Sequence, residues 1–355
     1  MPSNSRPSNS HCVREAPGPM ITIHCGLHKT GSSSIQLALE MCSKRGRTIF
    51  TPTPGDDRSE VGWRERLNKV ARARDPVLSD ENLLGSPYNG YRLAPERVAM
   101  LREALDGARY QIVIYLRPHV DWLPSVYLQK IQAGGTIGPE DFWARIKGEP
   151  YLQWSNLLYL LGSQSGAEHV SARAYTGSRD AVADCFELVG LGKPSRTGPT
   201  MIRENASIAA AQAPLLRELN DLPGVDDAER KLFRSLFQRD LALGADKTQS
   251  PFPQAIQSEI AAQFRSDWFG VILDPSAADD RNAFQENLKR YDVAPAPYAG
   301  RSFEDVNIQT EALRSLRLLS LSHTAQRQSY LRRILEKSRQ DPLGLPNAVI
   351  RRLRR

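Results

Sequence analysis

The segment from Met20 to Met41 constrains the fold more than any other part of the chain. It reads M-I-T-I-H-C, then G-L-H-K-T-G-S-S-S, then a stretch holding Ile35, Leu37, Ala38, Leu39 and Met41. A short β-type run, a loop bounded by Gly26 and Gly31, and an apolar-periodic helix thus follow one another directly. A loop between a strand's carboxyl end and a helix start presents backbone N–H groups and the positive end of the helix dipole. Gly26 and Gly31 let the backbone curl close to a phosphate with no Cβ in the way. Ser32, Ser33 and Ser34 add hydroxyls at the helix start, and Lys29 adds a full charge at the crest. The plain alternative is a loop ending in a serine N-cap.

The rest of the chain fits a parallel α/β sheet. Tyr110 to Leu116, Y-Q-I-V-I-Y-L, is a continuous apolar run suited to burial on both faces. Pro76 to Ser79 and His169 to Tyr175 are further β-type runs. Helical patterns separate them at Trp63–Ala73, Glu96–Leu105, Trp122–Ile131, Arg179–Val189 and Ile208–Leu219. Pro118 suits a first helical position, where its missing N–H costs nothing. Alternating strands and helices imply right-handed crossovers. The expected fold class is α/β, a P-loop-type three-layer sandwich with a central parallel sheet and a helical C-terminal region. Residues 1–19 read as a disordered lead-in, rich in Ser, Pro and Asn and without the apolar core of a secretory signal. Residues 20–290 read as the α/β domain, helical from about 205, with Asp274–Arg301 as extended connection. Residues 291–355 read as a basic helical extension ending in R-R-L-R-R.

The charge sits in that extension. Residues 301–355 hold twelve Lys/Arg and five Asp/Glu, which is the whole net charge of +7, and the preceding 300 residues balance at 35 of each sign. The basic character therefore does not mark the main body as a nucleic-acid binder. The extension reads as a solvated capping helix or as a peripheral contact with an anionic membrane surface. No apolar run approaches the ~18 residues of a membrane helix. Cys12, Cys25, Cys42 and Cys185 form no C-x-x-C pair, which argues against a zinc ribbon, a redox pair or a disulfide scaffold. A reduced, cytoplasmic setting is expected, extending to the inner membrane surface if the tail binds there.

Which anion the loop holds depends on its lysine. A nucleotide-triphosphatase loop needs G-x-x-x-x-G-K-[ST]. Here Ser32 stands where that Lys belongs, and Lys29 precedes the second Gly. Nor does the clearest strand end in an aspartate for magnesium; it ends in Arg117.

H-C-G-L-H-K-T-G-S-S-S-I-Q resembles the 5′-phosphosulfate loop of sulfotransferases, above all bacterial carbohydrate-type members with a G-x-x-K-T-G-[ST]-[ST]-S signature. Such enzymes use 3′-phosphoadenosine 5′-phosphosulfate (PAPS) and need no metal. The resemblance implies that Lys29 holds the sulfonate and bridging oxygen, and that Thr30, Gly31, Ser32 and Ser33 hold the 5′-phosphate. The family's second motif, a strand ending in Arg with Ser eight residues later, is matched by Arg117 and Ser125 in L-R-P-H-V-D-W-L-P-S-V-Y. These two would grip the 3′-phosphate, and a guanidinium fork suits phosphate oxygens. R-E-N-A-S-I, from Arg203, is similar to an R-x-N-x-S-x element of bacterial members; it either closes over the nucleotide or caps a helix. The chain lacks the R-K-G-x-x-G-D-W-K element of small-molecule cytosolic sulfotransferases, which argues against phenol- or steroid-type acceptors. The resemblance covers roughly residues 20 to 210.

The implied acceptor is a hydroxyl or amine of a carbohydrate or glycolipid, and it needs a general base. Glu81 is the first candidate, because V-L-S-D-E-N places it just past a strand. His28 lies inside the loop and is the rival. Asp80, His24 and His119 are weaker candidates, His24 as a packed strand residue and His119 as a surface or orienting residue beside Arg117. Trp122, Tyr127, Phe142 and Trp143 offer aromatic faces that core packing explains equally well. The Gly-rich Gln132–Thr136 stretch could cover the acceptor. Two other functions stay open: a P-loop kinase or NTPase, and a non-catalytic nucleotide-binding protein of the same fold.

Overall fold

The structure is a computed structural model that describes residues 20–42, 47–53, 55–176, 180–192, 208–221 and 249–293. Its centre is a five-stranded sheet in the order β2-β3-β1-β4-β5. The strands are β1 (Ile21–Cys25), β2 (Ile49–Phe50), β3 (Val77–Asp80), β4 (Tyr110–Leu116) and β5 (His169–Ala174), and every pairing is parallel. In β1, all five residues are buried, as the apolar run requires of a central strand.

Alternation along the strands sorts the core into two faces. Ile21, Ile23 and Cys25 join Ile112, Ile114 and Leu116 on one face, the larger cluster. Val77, Val113 and Tyr115 face the other way, toward Ile35, Leu39, Cys185 and Phe186. Helices α1 (Ser32–Cys42) and α7 (Ala181–Leu188) therefore cover the second face. The first face takes α2 (Glu60–Arg72), α3 (Ala94–Ala104), α4 (His119–Gln132), α5 (Pro139–Ile146), α6 (Trp154–Gln164), α8 (Ala213–Asp221), α9 (Gln254–Leu273) and α10 (Arg281–Leu288). A parallel sheet with helices on both faces is the α/β class expected from the sequence.

Three readings need correction. Asp274–Arg301 is not extended as far as it is described: Pro275–Asp280 and Lys289–Tyr291 are 3-10 turns flanking α10. Its Pro and Asp content suggested a connection, but Ala277, Phe284 and Tyr291 are buried at seven-residue spacing and hold one helical face on the core. Pro118 is the N-cap of α4 rather than its first residue. Helices α5 and α6 were not anticipated; α6 is the densest apolar run of the chain, buries Trp154, Leu157, Leu158 and Leu161, and packs against α3 and α9. The lead-in, Arg203 and the basic tail from 294 lie outside the described residues. Among the described residues no helix is long and apolar enough to cross a membrane.

Candidate anion and acceptor site

The chain leaves β1 toward one edge of the sheet and later crosses to β4 on its other side. Open α/β sheets bind ligands at such a reversal, beyond the carboxyl ends of the strands. Both motifs end there, because β1 and β4 are neighbours in register.

The loop after β1 is held open from within. Thr30 Oγ1 donates to the Leu27 carbonyl at 2.6 Å and Ser32 Oγ donates to the same oxygen at 2.9 Å. Both residues are buried. Their hydroxyl protons are thus directed to the loop's own carbonyl. Their backbone N–H groups, with that of Gly31, lie at the start of α1, where such groups favour an anion. Gly26 is required by the close approach of Ser32, whose Oγ would lie 2.6 Å from an added Cβ. Gly31 has φ +84°, and Lys29 at φ 65° is one of few non-glycine residues in the left-handed region. Ser33 is exposed at the start of α1.

Two indoles fix this loop against the end of β4. Trp122 Nε1 donates to the His28 carbonyl at 2.7 Å, and Trp154 Nε1 donates to the Arg117 carbonyl at 3.0 Å. Both indoles are fully buried, so Trp122 is a positioning element and not a sugar platform. Tyr127, Phe142 and Trp143 are likewise core. The Gln132–Thr136 stretch is pinned, because Asn220 Nδ2 donates to the Ile131 and Gly135 carbonyls and Arg217 Nε donates to that of Thr136.

Arg117 joins the two motifs. Its Nη1 donates to Ser125 Oγ at 3.1 Å and reaches the Lys29 carbonyl, 88 positions earlier, at 3.4 Å. Its guanidinium also lies 5.9 Å from the ring of Tyr175, which crowds Gly31 from the other side. Burial pushes the Arg117 pKa down. Burial also lowers that of Lys29, with the Arg117 charge adding to the effect and Glu81 opposing it. Two cations held together, partly out of water, form a site that an anion would stabilise.

On the other side of Lys29 lies Glu81. Burial and the neighbouring Asp80 push its carboxyl up, while Arg58 and Lys29 pull it back. His28 is pushed down to about 4, first by burial and then by Lys29 and Arg58. Burial thus acts in opposite directions on the two, raising the Glu81 carboxyl and lowering the His28 ring, so each is pushed toward its neutral form. The His28 ring packs beside Tyr88 and Tyr91, with its Nδ1 buried and unpartnered among the described residues.

The remaining base candidates are structural. Asp80 is 2% exposed, accepts from Arg66 Nη1 at 2.6 Å and from the Asn82 N–H at 2.8 Å. Since β3 adjoins β1, a strand-terminal aspartate does exist beside the loop, contrary to expectation. The lack of a strand-end aspartate therefore no longer counts against a kinase, and this carboxylate is paired with Arg66. His24 shares a proton with Ser79 Oγ at 2.8 Å inside the second core face, as a packed strand histidine. His119 is no surface residue: it is fully buried and stacked on Phe264 and Trp154, with ring centroids 3.9 and 4.6 Å away. Cys25 and Cys185 are buried thiols pushed up by burial, which suits packing and not nucleophilic chemistry.

Sequence reading missed Tyr88, Arg58, Lys130 and Tyr175. Lys130 Nζ lies 4.8 Å from the Tyr88 ring centroid, and Tyr88 acts electrostatically with Glu81. Only the tertiary fold brings the four to the site. The cleft lined by Leu158, Tyr159, His169 and Pro275 opens at the amino end of β5, away from this chemistry. No cluster of metal-ligating side chains occurs among the described residues.

The fold and site define an α/β protein whose Gly-bounded loop at the carboxyl end of β1 carries Lys29 close to Arg117 and within electrostatic reach of Glu81. Comparison with family models, curated proteins and solved structures returns no match for this chain.

Proposed function

We propose that the protein is a PAPS-dependent sulfotransferase acting on a hydroxyl or amine of a carbohydrate or glycolipid. The observation that carries this reading is the convergence of Lys29, Arg117 and Ser125, from motifs far apart in sequence, within one hydrogen-bonded cluster. The loop N–H groups bind the 5′-phosphate end of the donor, and Arg117 with Ser125 binds the 3′-phosphate. Lys29 neutralises the transferring sulfuryl group, whose sulfur leaves the phosphate oxygen as it bonds to the acceptor oxygen or nitrogen. Glu81 takes the acceptor proton, and adenosine 3′,5′-bisphosphate departs. Sulfuryl transfer concentrates less charge than phosphoryl transfer between fully charged phosphates, so positioning and a lysine cation supply the stabilisation.

The reading is tested by calorimetry with adenosine 3′,5′-bisphosphate and with ADP, each with and without EDTA. Tighter binding of the bisphosphate, unchanged by EDTA, is expected. Preference for a nucleoside di- or triphosphate that depends on magnesium would replace this reading with a kinase. Turnover of labelled PAPS over a panel of glycans then separates an enzyme from a binding protein. The peripheral membrane role of the basic tail remains part of the same proposal, and sedimentation with anionic vesicles tests it.

A further inference from the structure

The anion site at the end of β4 has a neighbour supplied from the far end of the described chain. The Tyr291 hydroxyl accepts from the His119 backbone N–H at 3.1 Å and donates to His119 Nδ1 at 2.9 Å, while His119 Nε2–H donates to the Leu152 carbonyl at 2.7 Å. Tyr291 is 6% exposed. These bonds fasten the 3-10 turn Lys289–Tyr291 onto the first turn of α4, two residues past Arg117.

Arg290 is thereby placed against Asp121. Its Nε donates to Asp121 Oδ2 at 3.0 Å and its Nη2 donates to Oδ1 at 2.7 Å. The Asp121 carbonyl accepts from Ser125 Oγ at 3.0 Å, and that same Oγ accepts from Arg117. Arg290 and Arg117 are close enough that the charge of one lowers the pKa of the other. Asp121 keeps about a fifth of its side-chain surface exposed. A carboxylate beside Arg117 and Ser125 would repel any anion they bind unless a cation neutralises it. Arg290 does that with one edge of its guanidinium, and its Nη1 donates to no described residue. A guanidinium carries five N–H donors in a fixed fork, so the second edge can engage a phosphate while the first stays on Asp121.

We propose that Arg290 is a third phosphate-binding residue of the Arg117–Ser125 site, with Asp121 orienting it. This rests on reading that site as the 3′-phosphate end of a nucleotide. The experiment compares adenosine 3′,5′-bisphosphate with AMP, which lacks the 3′-phosphate, by calorimetry on the full-length wild type, Arg290→Gln and Asp121→Asn. The wild type is expected to prefer the bisphosphate. Arg290→Gln should weaken the bisphosphate about tenfold, the scale of one charge-assisted contact, and leave AMP within about twofold. Asp121→Asn should keep bisphosphate binding within about twofold, because it removes a repulsive charge while the amide oxygen still accepts from Arg290 and holds it in place. AMP binding serves as the control for folding in both variants. Parallel weakening of both ligands in both variants would mean that the Arg290–Asp121 pair only secures the fold, and would overturn the proposal. Undiminished preference in Arg290→Gln would overturn Arg290's part alone. A wild type that does not discriminate the two ligands would remove the 3′-phosphate reading and this proposal with it.

Discussion

Acid should unfold this protein through three histidines. His24 and His28 are pushed down to about 4 and His119 to about 3, burial being the largest cause in each. An unfolded histidine titrates near 6.5. A folded pKa below the unfolded one means that the unfolded chain binds more protons as pH falls below 6.5. The stabilisation is therefore complete above about pH 6.5 and is lost on the way down toward the folded values. At pH 5 each histidine has cost the folded state about 2 kcal/mol, or about 6 kcal/mol together. Domains are typically stable by about 5–15 kcal/mol, so that loss is a large share of the total. Glu81 and Asp267 work the other way, since their carboxyls are pushed up by burial and protonation of them favours the folded chain. Their protonation in the folded chain offsets part of the loss. Urea titrations at half-unit steps from pH 7.5 to 5 measure the slope of stability against pH. Between pH 5.5 and 5 the slope should correspond to uptake of between two and three protons on unfolding. A slope equivalent to one proton or fewer would refute the picture of three buried neutral imidazoles.

The other expectations concern the site. Under the proposed function, in which Lys29 faces the group that changes charge in the transition state, Lys29→Ala should suppress turnover far more than nucleotide binding, whereas Arg117→Ala should chiefly weaken binding; equal behaviour of the two variants in both assays would show the roles to be misassigned. Glu81→Gln should leave bisphosphate affinity intact and slow transfer by on the order of 10²- to 10⁴-fold, the usual contribution of a general base. Near-normal transfer by that variant, with collapse in His28→Ala, would pass the role to His28. Gly31→Ala places a Cβ at φ +84° and 3.1 Å from the Tyr175 ring. It should lower stability by roughly 1–2 kcal/mol and weaken bisphosphate binding, read by thermal melting and calorimetry; an unchanged melt would mean the loop relaxes at no cost.

Much of the sheet could be read directly. Tyr110–Leu116 is buried at every position but Gln111, because a central parallel strand tolerates little else. The helices at Glu60–Arg72 and His119–Gln132 lie within a turn of their periodic patterns. Helix α10 was not legible, since Pro and Asp dominate its surroundings and only burial of Phe284 and Tyr291 overrides them. The site was legible only in part. Lys29 is legible from its Gly-bounded loop, Arg117 and Ser125 through the resemblance of their motif to the sulfotransferase one, and Glu81 by its place after a strand. The surroundings of His28, Asp80 and His119 were not, because each is set by neighbours distant in sequence: Tyr88 and Tyr91, Arg66, and Phe264 with Trp154.

The sequence by itself determined the alternation of strands and helices and the loop from Gly26 to Ser34, because local periodicity and backbone freedom are properties of contiguous residues. Tertiary structure decided that β1 and β4 are neighbours, that Thr30 and Ser32 turn their hydroxyls onto Leu27, and that Arg290 reaches Asp121 from 169 positions away. Those outcomes depend on which side chains share a desolvated space. Chain order does not specify that until the core has formed.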